Sequence, residues 1–294
     1  MQAGSASKTF AVIGGDSRQA RMCALLCQSG HRVRAFALDR CALPAQAQRS
    51  ESVRDACQKA DCVILPMPLS RDSGMLNAPL SSQAAALSEV FSEMEPGTLV
   101  CAGAVTEEAE RLAQKQQLRL FDYLRREELA VANAVPTAEG AIQIAMEELP
   151  ITISGSRCLV IGCGRIGKAL SARLRALGAA VSVSARKARD LAYIRAMGNT
   201  ALHTAALEPE MAEFDVIFNT VPASVLEKPQ LRRVRPDALV IDLASLPGGV
   251  DMEGAGELGV RVIRALSLPG KVAPLSSARI VLDTVYNIME EEMK

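Results

Sequence analysis

No run of apolar residues in this 294-residue chain approaches the roughly 20 that a membrane-spanning helix needs. No basic start followed by an apolar core marks a secretory signal either. Excess charge of one sign is also missing: 33 Lys and Arg balance 33 Asp and Glu, so no overall field draws the chain toward nucleic acid or a membrane surface. The eight cysteines all lie at or before Cys163, form no C-x-x-C pair and have only His31 and His203 for company. Neither a zinc site nor a disulfide framework follows from that pattern, and small buried hydrophobes are the expected role. The expected location is the cytoplasm, and residues 2–7 read as a flexible leader outside the fold.

What is present fits an enzyme of two domains, with a hydrophobic fraction of 49%, a charged fraction of 22% and length enough for two cores. Strand signals at residues 10–13, 33–37, 62–65, 99–101 and 118–121 alternate with helical stretches. The pattern recurs at 159–161, 181–183, 216–218, 239–241 and 260–262. Such alternation predicts an α/β fold of two doubly wound parallel-sheet domains. Residues 1–135 form a flavodoxin- or Rossmann-like domain, and residues 136–275 a Rossmann NAD(P)-binding domain. Helices cross between them. One starts at Pro136-Thr137-Ala138-Glu139, where a breaker, a possible N-cap and an early acidic residue precede apolar positions at helical spacing. Another, over 276–294, has no following strand and is expected to pack back on the first domain.

The sharpest motif is Gly162-Cys163-Gly164-Arg165-Ile166-Gly167, a G-x-G-x-x-G that follows an apolar strand and opens a helix running to about Leu177. Gly162 permits the tight turn, Gly164 lets a pyrophosphate approach the backbone, and Gly167 lets the helix pack close to the strand. NAD binders place an acidic residue at the end of the next strand to hold the ribose hydroxyls, but here the chain reads Ser184-Ala185-Arg186-Lys187. A carboxylate would repel a 2′-phosphate, whereas a hydroxyl, a guanidinium and an ammonium would bind it, so NADP is the expected cofactor. The alternative for Arg186 and Lys187 is a solvated helix start. Asn219-Thr220-Val221-Pro222 and Leu243-Ala244-Ser245 end the fourth and fifth strands and should flank the nicotinamide ribose and ring. With crossing helices, that end of the cofactor is expected in a cleft between domains, at the carboxyl ends of both sheets.

Seven segments, in order along nearly the whole chain, carry a resemblance. They are residues 12–19 (VIGGDSRQ), 64–68 (ILPMP), 121–123 (FDY), 133–141 (NAVPTAEGA), 161–167 (IGCGRIG), 241–249 (IDLASLPGG) and 268–274 (LPGKVAP). The chain resembles the dipicolinate synthase A-subunit family, which belongs to sporulating bacteria and is similar in architecture to hydroxyacid and alanine dehydrogenases. Its one visible departure is Cys163, whose side chain should point away from the phosphates. The resemblance implies oxidation of a dihydro- or hydroxytetrahydro-dipicolinate to pyridine-2,6-dicarboxylate, with hydride passing to NADP. It also implies a partner chain, the dipicolinate synthase B-subunit, and a homo-oligomer is expected.

A dianionic ring asks for carboxylate clamps. Gly14-Gly15-Asp16-Ser17-Arg18 follows the first strand, so N–H groups from Gly15 onward, with Ser17 and Arg18, could grip one carboxylate; otherwise the glycines merely turn the chain. This domain lacks a full G-x-G-x-x-G and is not expected to hold a second dinucleotide. Thr137 at the next helix start offers a hydroxyl, or is an ordinary cap. Residues 67–73 read either as a lid with Arg71 facing the ligand or as a plain loop. Ser245 should lie near the substrate, and Asp16, Glu139 and Asp242 are candidate proton acceptors, because a carboxylate beside a dianion holds its proton tightly. His31 and His203 read as structural or exposed. Two other readings stay open: an alanine or 2-hydroxyacid type dehydrogenase, for which only Lys271 is near a plausible position, and a nucleotide-binding component that works only with its partner chain.

Overall fold

The computed structural model of the chain describes residues 7–71 and 74–292. Apart from Ser7, the leader read at residues 2–7 lies outside the described residues, as do Asp72 and Ser73 of the expected lid and Met293 and Lys294 of the predicted final helix. Two compact units emerge, one drawn from the described residues of Met1–Ala130 and Ala273–Lys294, the other from Val131–Val272.

The first unit begins with β1 (Thr9–Ile13), buried along its whole length. Its side chains alternate between two cores: Phe10 and Val12 join Met22 and Leu26, while Ala11 and Ile13 join Val53, Val90 and Phe91. A strand covered on both faces has no polar side to present, which is why it reads as an unbroken apolar run. It is followed by α1 (Ser17–Gln28), β2 (Arg32–Phe36), β3 (Ala47–Arg49), α2 (Val53–Cys57), β4 (Cys62–Ile64), α3 (Leu87–Ser92), β5 (Leu99–Ala102), α4 (Glu107–Lys115) and β6 (Arg119–Asp122). The strands pair in the order β3-β2-β1-β4-β5-β6, all parallel. That order is the dinucleotide-fold order, not the flavodoxin one.

The chain then runs through α5 (Glu127–Glu148) into the second unit, built from β7 (Arg157–Ile161), α6 (Arg165–Ala176), β8 (Ala180–Ala185), α7 (Ala188–Ala196), β9 (Thr200–His203), β10 (Val216–Asn219), α8 (Lys228–Leu231), β11 (Leu239–Asp242), α9 (Met252–Glu257), β12 (Val262–Arg264) and α10 (Leu268–Val272). The sheet order β12-β11-β10-β7-β8-β9 repeats the arrangement of the first unit strand for strand. Finally α11 (Pro274–Glu292) returns to the first unit, where Ala278, Val281, Val285 and Ile288 pack into the core that α1 also covers. The doubly wound parallel class expected from the sequence is therefore the observed one.

Three local expectations change. The helix expected to start at Pro136 starts at Glu127, and Pro136 lies inside it. Edge strands β3 and β9 had no apolar signal, because Gln48 and Arg49 in one and Thr200 and His203 in the other are exposed. The last strand lies at Val262–Arg264, two residues beyond the expected start.

Candidate functional site

In the second unit, β7 and β10 are neighbours whose connections lead away to opposite sides of the sheet. Their carboxyl ends frame the crevice in which open α/β sheets take their ligands. The first loop there is the glycine turn. Gly162 adopts φ +104 and donates its N–H to Ser184 O at 3.0 Å. A Cβ on Gly167 would run into the carbonyl oxygen of Gly162, so only glycine lets α6 start this close to β7. A Cβ on Gly164 would meet nothing within 4 Å, and Gly164, the N-cap of α6, caps it with no side chain. The turn thus offers a helix start with its positive dipole end uncovered, which suits a pyrophosphate. Arg165 and Ile166 begin the helix itself.

Cys163 does not enter that turn's open side. It lines a cavity of about 300 Å³ between α6 and α7, with Lys168, Arg175, Tyr193 and Met197. Burial raises its thiol above the ordinary cysteine value, with only partial relief from Lys168. Arg186 and Lys187 follow β8 and are exposed, and Lys187 is the N-cap of α7. Ser184 is buried, and its hydroxyl pairs with that of Thr204 at 3.4 Å. Its side chain therefore faces the protein, a correction to its reading as a phosphate ligand.

The second loop follows β10. Thr220 donates both its N–H and its hydroxyl to Ile161 O, at 3.0 and 2.9 Å, which ties the loop to the end of β7. Val221 is half-buried and Pro222 exposed. After β11, Leu243 and Ala244 are buried whereas Ser245 is exposed, its carbonyl accepting from Gly248 N at 2.9 Å. Asp242 is fully buried and accepts from Asn219 Nδ2 at 2.8 Å and from the N–H groups of Ala244 and Gly249, each at 3.3 Å. Arg264 Nε stands 3.7 Å from its other oxygen. With this many donors Asp242 is no free proton acceptor. Arg264 is the polar partner of Asp242 that sequence reading missed, although it lies directly opposite Asp242 in the β11–β12 register; Asn219, expected beside the nicotinamide, is bound to Asp242.

The matching turn of the first unit is built differently. Gly14 N and Gly15 N donate to Phe36 O and Asn77 O, both at 2.9 Å. Asp16 caps α1 in a reciprocal box with Gln19, accepting from Arg18 N at 2.9 Å while its own N–H reaches Gln19 Oε1 at 3.0 Å. The expectation of free N–H groups is therefore corrected for Gly15, Asp16 and Arg18, whose N–H groups are taken by Asn77 O, Gln19 Oε1 and Asp16 Oδ1. Arg18 is itself buried, its Nε and Nη2 gripping both oxygens of Asp16 at 3.0 and 2.8 Å and Nη2 also reaching Met67 O at 2.5 Å. Burial pushes the Asp16 carboxyl up, but hydrogen bonds and charge from Arg18, with Arg71 further off, outweigh it and leave the pKa below the ordinary value. Asp16 is accordingly a partner of Arg18 and not a base near neutral pH. Ser17 and Arg71 are exposed. Asn77, buried beside this turn and donating to Pro68 O at 2.9 Å, had no sequence signal because it lies in an irregular loop.

One further expectation falls with the helix start at Pro136. Thr137 sits mid-helix and donates its hydroxyl to Asn133 O at 2.7 Å, so it presents no uncapped helix end. Glu139 is exposed and pairs with Arg173 Nε at 3.3 Å. His31 packs on Phe10 and Tyr286, with burial lowering its pKa, and His203 accepts from Ala205 N at 3.3 Å. Among the described residues no group of His, Cys, Asp and Glu is arranged to hold a metal, and no helix is long and apolar enough to cross a membrane.

Comparison with known proteins adds names to this geometry. A family model for the N-terminal domain of the dipicolinate synthase A-subunit matches residues 9–124, and one described as D-isomer specific 2-hydroxyacid dehydrogenase, NAD binding domain, matches residues 124–245. Over 290 residues the chain is 30% identical to the dipicolinate synthase A-subunit of Bacillus subtilis (strain 168), covering 96% of each protein. The crystal structure of the dipicolinate synthase A-subunit from Bacillus halodurans superposes with a TM-score of 0.87 at 28% identity, covering 96% of this chain and 97% of that one. That of its counterpart from Bacillus subtilis gives 0.87 at 29%, covering 99% of both. The second unit is thus a dehydrogenase-type domain for a nicotinamide cofactor.

Proposed function

The chain belongs to the dipicolinate synthase A-subunit family, and from that premise we propose that it oxidises a dihydro- or hydroxytetrahydro-dipicolinate ring to pyridine-2,6-dicarboxylate with NADP as hydride acceptor. The observation that carries the reading is the pairing, within a chain of this family, of an uncapped glycine turn at Gly164 with a basic Arg186-Lys187 end to β8. NADP⁺, when bound, takes the hydride from a ring carbon at C4 of its nicotinamide. The balance is ring-H₂ plus NADP⁺ giving aromatic ring, NADPH and one proton; a hydroxylated ring first loses water.

The protein's own share is binding and orientation. The start of α6 receives the pyrophosphate, and Arg186 and Lys187 hold the 2′-phosphate. Thr220, Val221, Pro222, Leu243 and Ala244 bound the ribose and ring beyond it. In the first unit Arg18, held rigid by Asp16 and Met67 O, is the proposed partner of a ring carboxylate, with Arg71 and Ser17. Aromatisation supplies the driving force, which leaves the protein to neutralise the carboxylates and orient the ring. The proton released goes to water. The test is to incubate the purified chain with the ring substrate and NADP⁺, alone and with the second subunit that the relative's name implies. Pyridine-2,6-dicarboxylate and NADPH should form in equal amounts; formation of neither in both mixtures would overturn the reading.

A further inference from the structure

A carboxylate with no exposed surface needs its charge answered on every side, and Asp242 is answered from three strand ends at once: Asn219 of β10, the loop of Ala244 and Gly249 after β11, and Arg264 of β12. Asn219, equally buried, is used to capacity in turn. Its Nδ2 reaches Asp242 and also Val221 O at 3.0 Å, and its Oδ1 accepts from Val221 N at 3.1 Å. The backbone beyond presses straight onto the pair. A Cβ on Gly248 would stand 2.7 Å from Asp242 Oδ2 and from Arg264 Nη2, and one on Gly249 would strike Asn219 Nδ2.

We infer that Asn219 and Asp242 form a positioning brace for the nicotinamide half of the cofactor: each locks one of the two loops, Thr220–Pro222 and Leu243–Ser245, that the proposed function assigns to that half. The inference rests on the dinucleotide reading above. Its logic is one of sides. In this strand order the ends of β8 and β9 serve the adenosine half and the ends of β10 and β11 the other half, with the glycine turn between. The brace touches only the second side. No group of the brace reaches Gly164, Arg186 or Lys187 through its hydrogen bonds, so a fault in it should be felt by half of the ligand. Asn219 and Asp242 are positioning residues, acting through Val221 and Ala244, and are not themselves assigned contact with the cofactor.

The experiment is calorimetric titration of the full chain with three probes, NADP⁺, nicotinamide mononucleotide and adenosine 2′,5′-bisphosphate, in the wild type, in Asp242→Asn and in the exchanged pair Asn219→Asp with Asp242→Asn. Asp242→Asn should weaken NADP⁺ by about tenfold or more, since a partnered buried charge is lost, and abolish measurable mononucleotide binding. Adenosine 2′,5′-bisphosphate should stay within about twofold of the wild type. The exchanged pair restores the amide–carboxylate contact but sets a carboxylate oxygen against Val221 O and an amide against Arg264, so it should recover only part of the loss. Equal weakening of both halves, or of neither, in Asp242→Asn and in the exchanged pair would overturn the brace and leave the dinucleotide reading intact. A wild type that takes up none of the three probes would remove that reading itself.

Discussion

Arg18 is buried with a single carboxylate beside it, and that pairing decides how the residue can be tested. Bidentate contact with Asp16 and a third bond to Met67 O fix the guanidinium plane before any ligand arrives, so little conformational freedom remains to be lost on binding. Arg18→Ala should raise the substrate KM by about tenfold or more, one charge-assisted contact being lost, with NADP affinity unchanged. Steady-state kinetics and a cofactor titration on the same sample check both halves of that statement. Arg186→Ala should do the reverse, weakening NADP about tenfold and narrowing its advantage over NAD. Asp16 yields a pH prediction. Its folded pKa lies below the ordinary 3.8, so its ionised form stabilises the native state above that pH, and the benefit is lost as pH falls through the folded value. Asp16→Asn should therefore be less stable than the wild type at neutral pH, and the two denaturation midpoints should converge as the pH falls below the ordinary 3.8 and through the folded value. A gap that persists or widens there would refute the ion-pair account.

At the level of elements, the helices that begin after β1 and β7 start from the same place in two sheets of identical order, yet one is capped and the other open. At α1 the acidic N-cap fills the helix end; at α6 a glycine leaves it clear. Much of this was legible in sequence. Asp16 followed three residues later by Gln19 is a capping box, and G-x-G-x-x-G after a strand is an open turn. What misled was the same vocabulary applied at Pro136, where Pro and Thr imitate a helix start inside a helix already under way from Glu127. A proline in a helix interior costs one backbone hydrogen bond, and burial of Ala138, Ala141 and Ala145 supplies the packing that keeps α5 continuous. Several family segments also prove to be packing features. Asp122 accepts from the N–H groups of Ala104, Val105 and Leu124, and Tyr123 OH donates to Leu65 O, so Phe121-Asp122-Tyr123 braces the first unit. Gly167 tests the element scale: Gly167→Ala forces α6 away from the Gly162 carbonyl and should lower stability by about 1–3 kcal/mol. Nicotinamide dinucleotide binding should fall with it. A variant as stable as the wild type with full affinity would show that α6 can retreat without cost.

Across the whole molecule, two sheets of one strand order have been given different first turns, and the difference sets a stoichiometry. Edge strands and loop partners such as Asn77 escaped sequence reading because their signals come from tertiary partners, whereas the G-x-G-x-x-G that follows β7 did not. Among the described residues the second unit offers the uncapped glycine turn, whereas in the first the Gly14 and Gly15 N–H groups go to Phe36 O and Asn77 O and Asp16 caps the helix end. One NADP per chain should therefore be bound, however high its concentration. Under the proposed function only the native second unit recognises it, so a hundredfold excess over Kd should add about 2.7 kcal/mol to that unit's unfolding free energy. Gly164→Asp places a carboxylate where the pyrophosphate must lie and should remove both the binding isotherm and the thermal stabilisation, while Gly15→Ala, strained in the first unit at φ +98, should lower stability yet leave the NADP isotherm at one site with unchanged Kd. Two equivalents bound per chain, or residual NADP binding in Gly164→Asp, would mean that the capped turn also serves a dinucleotide.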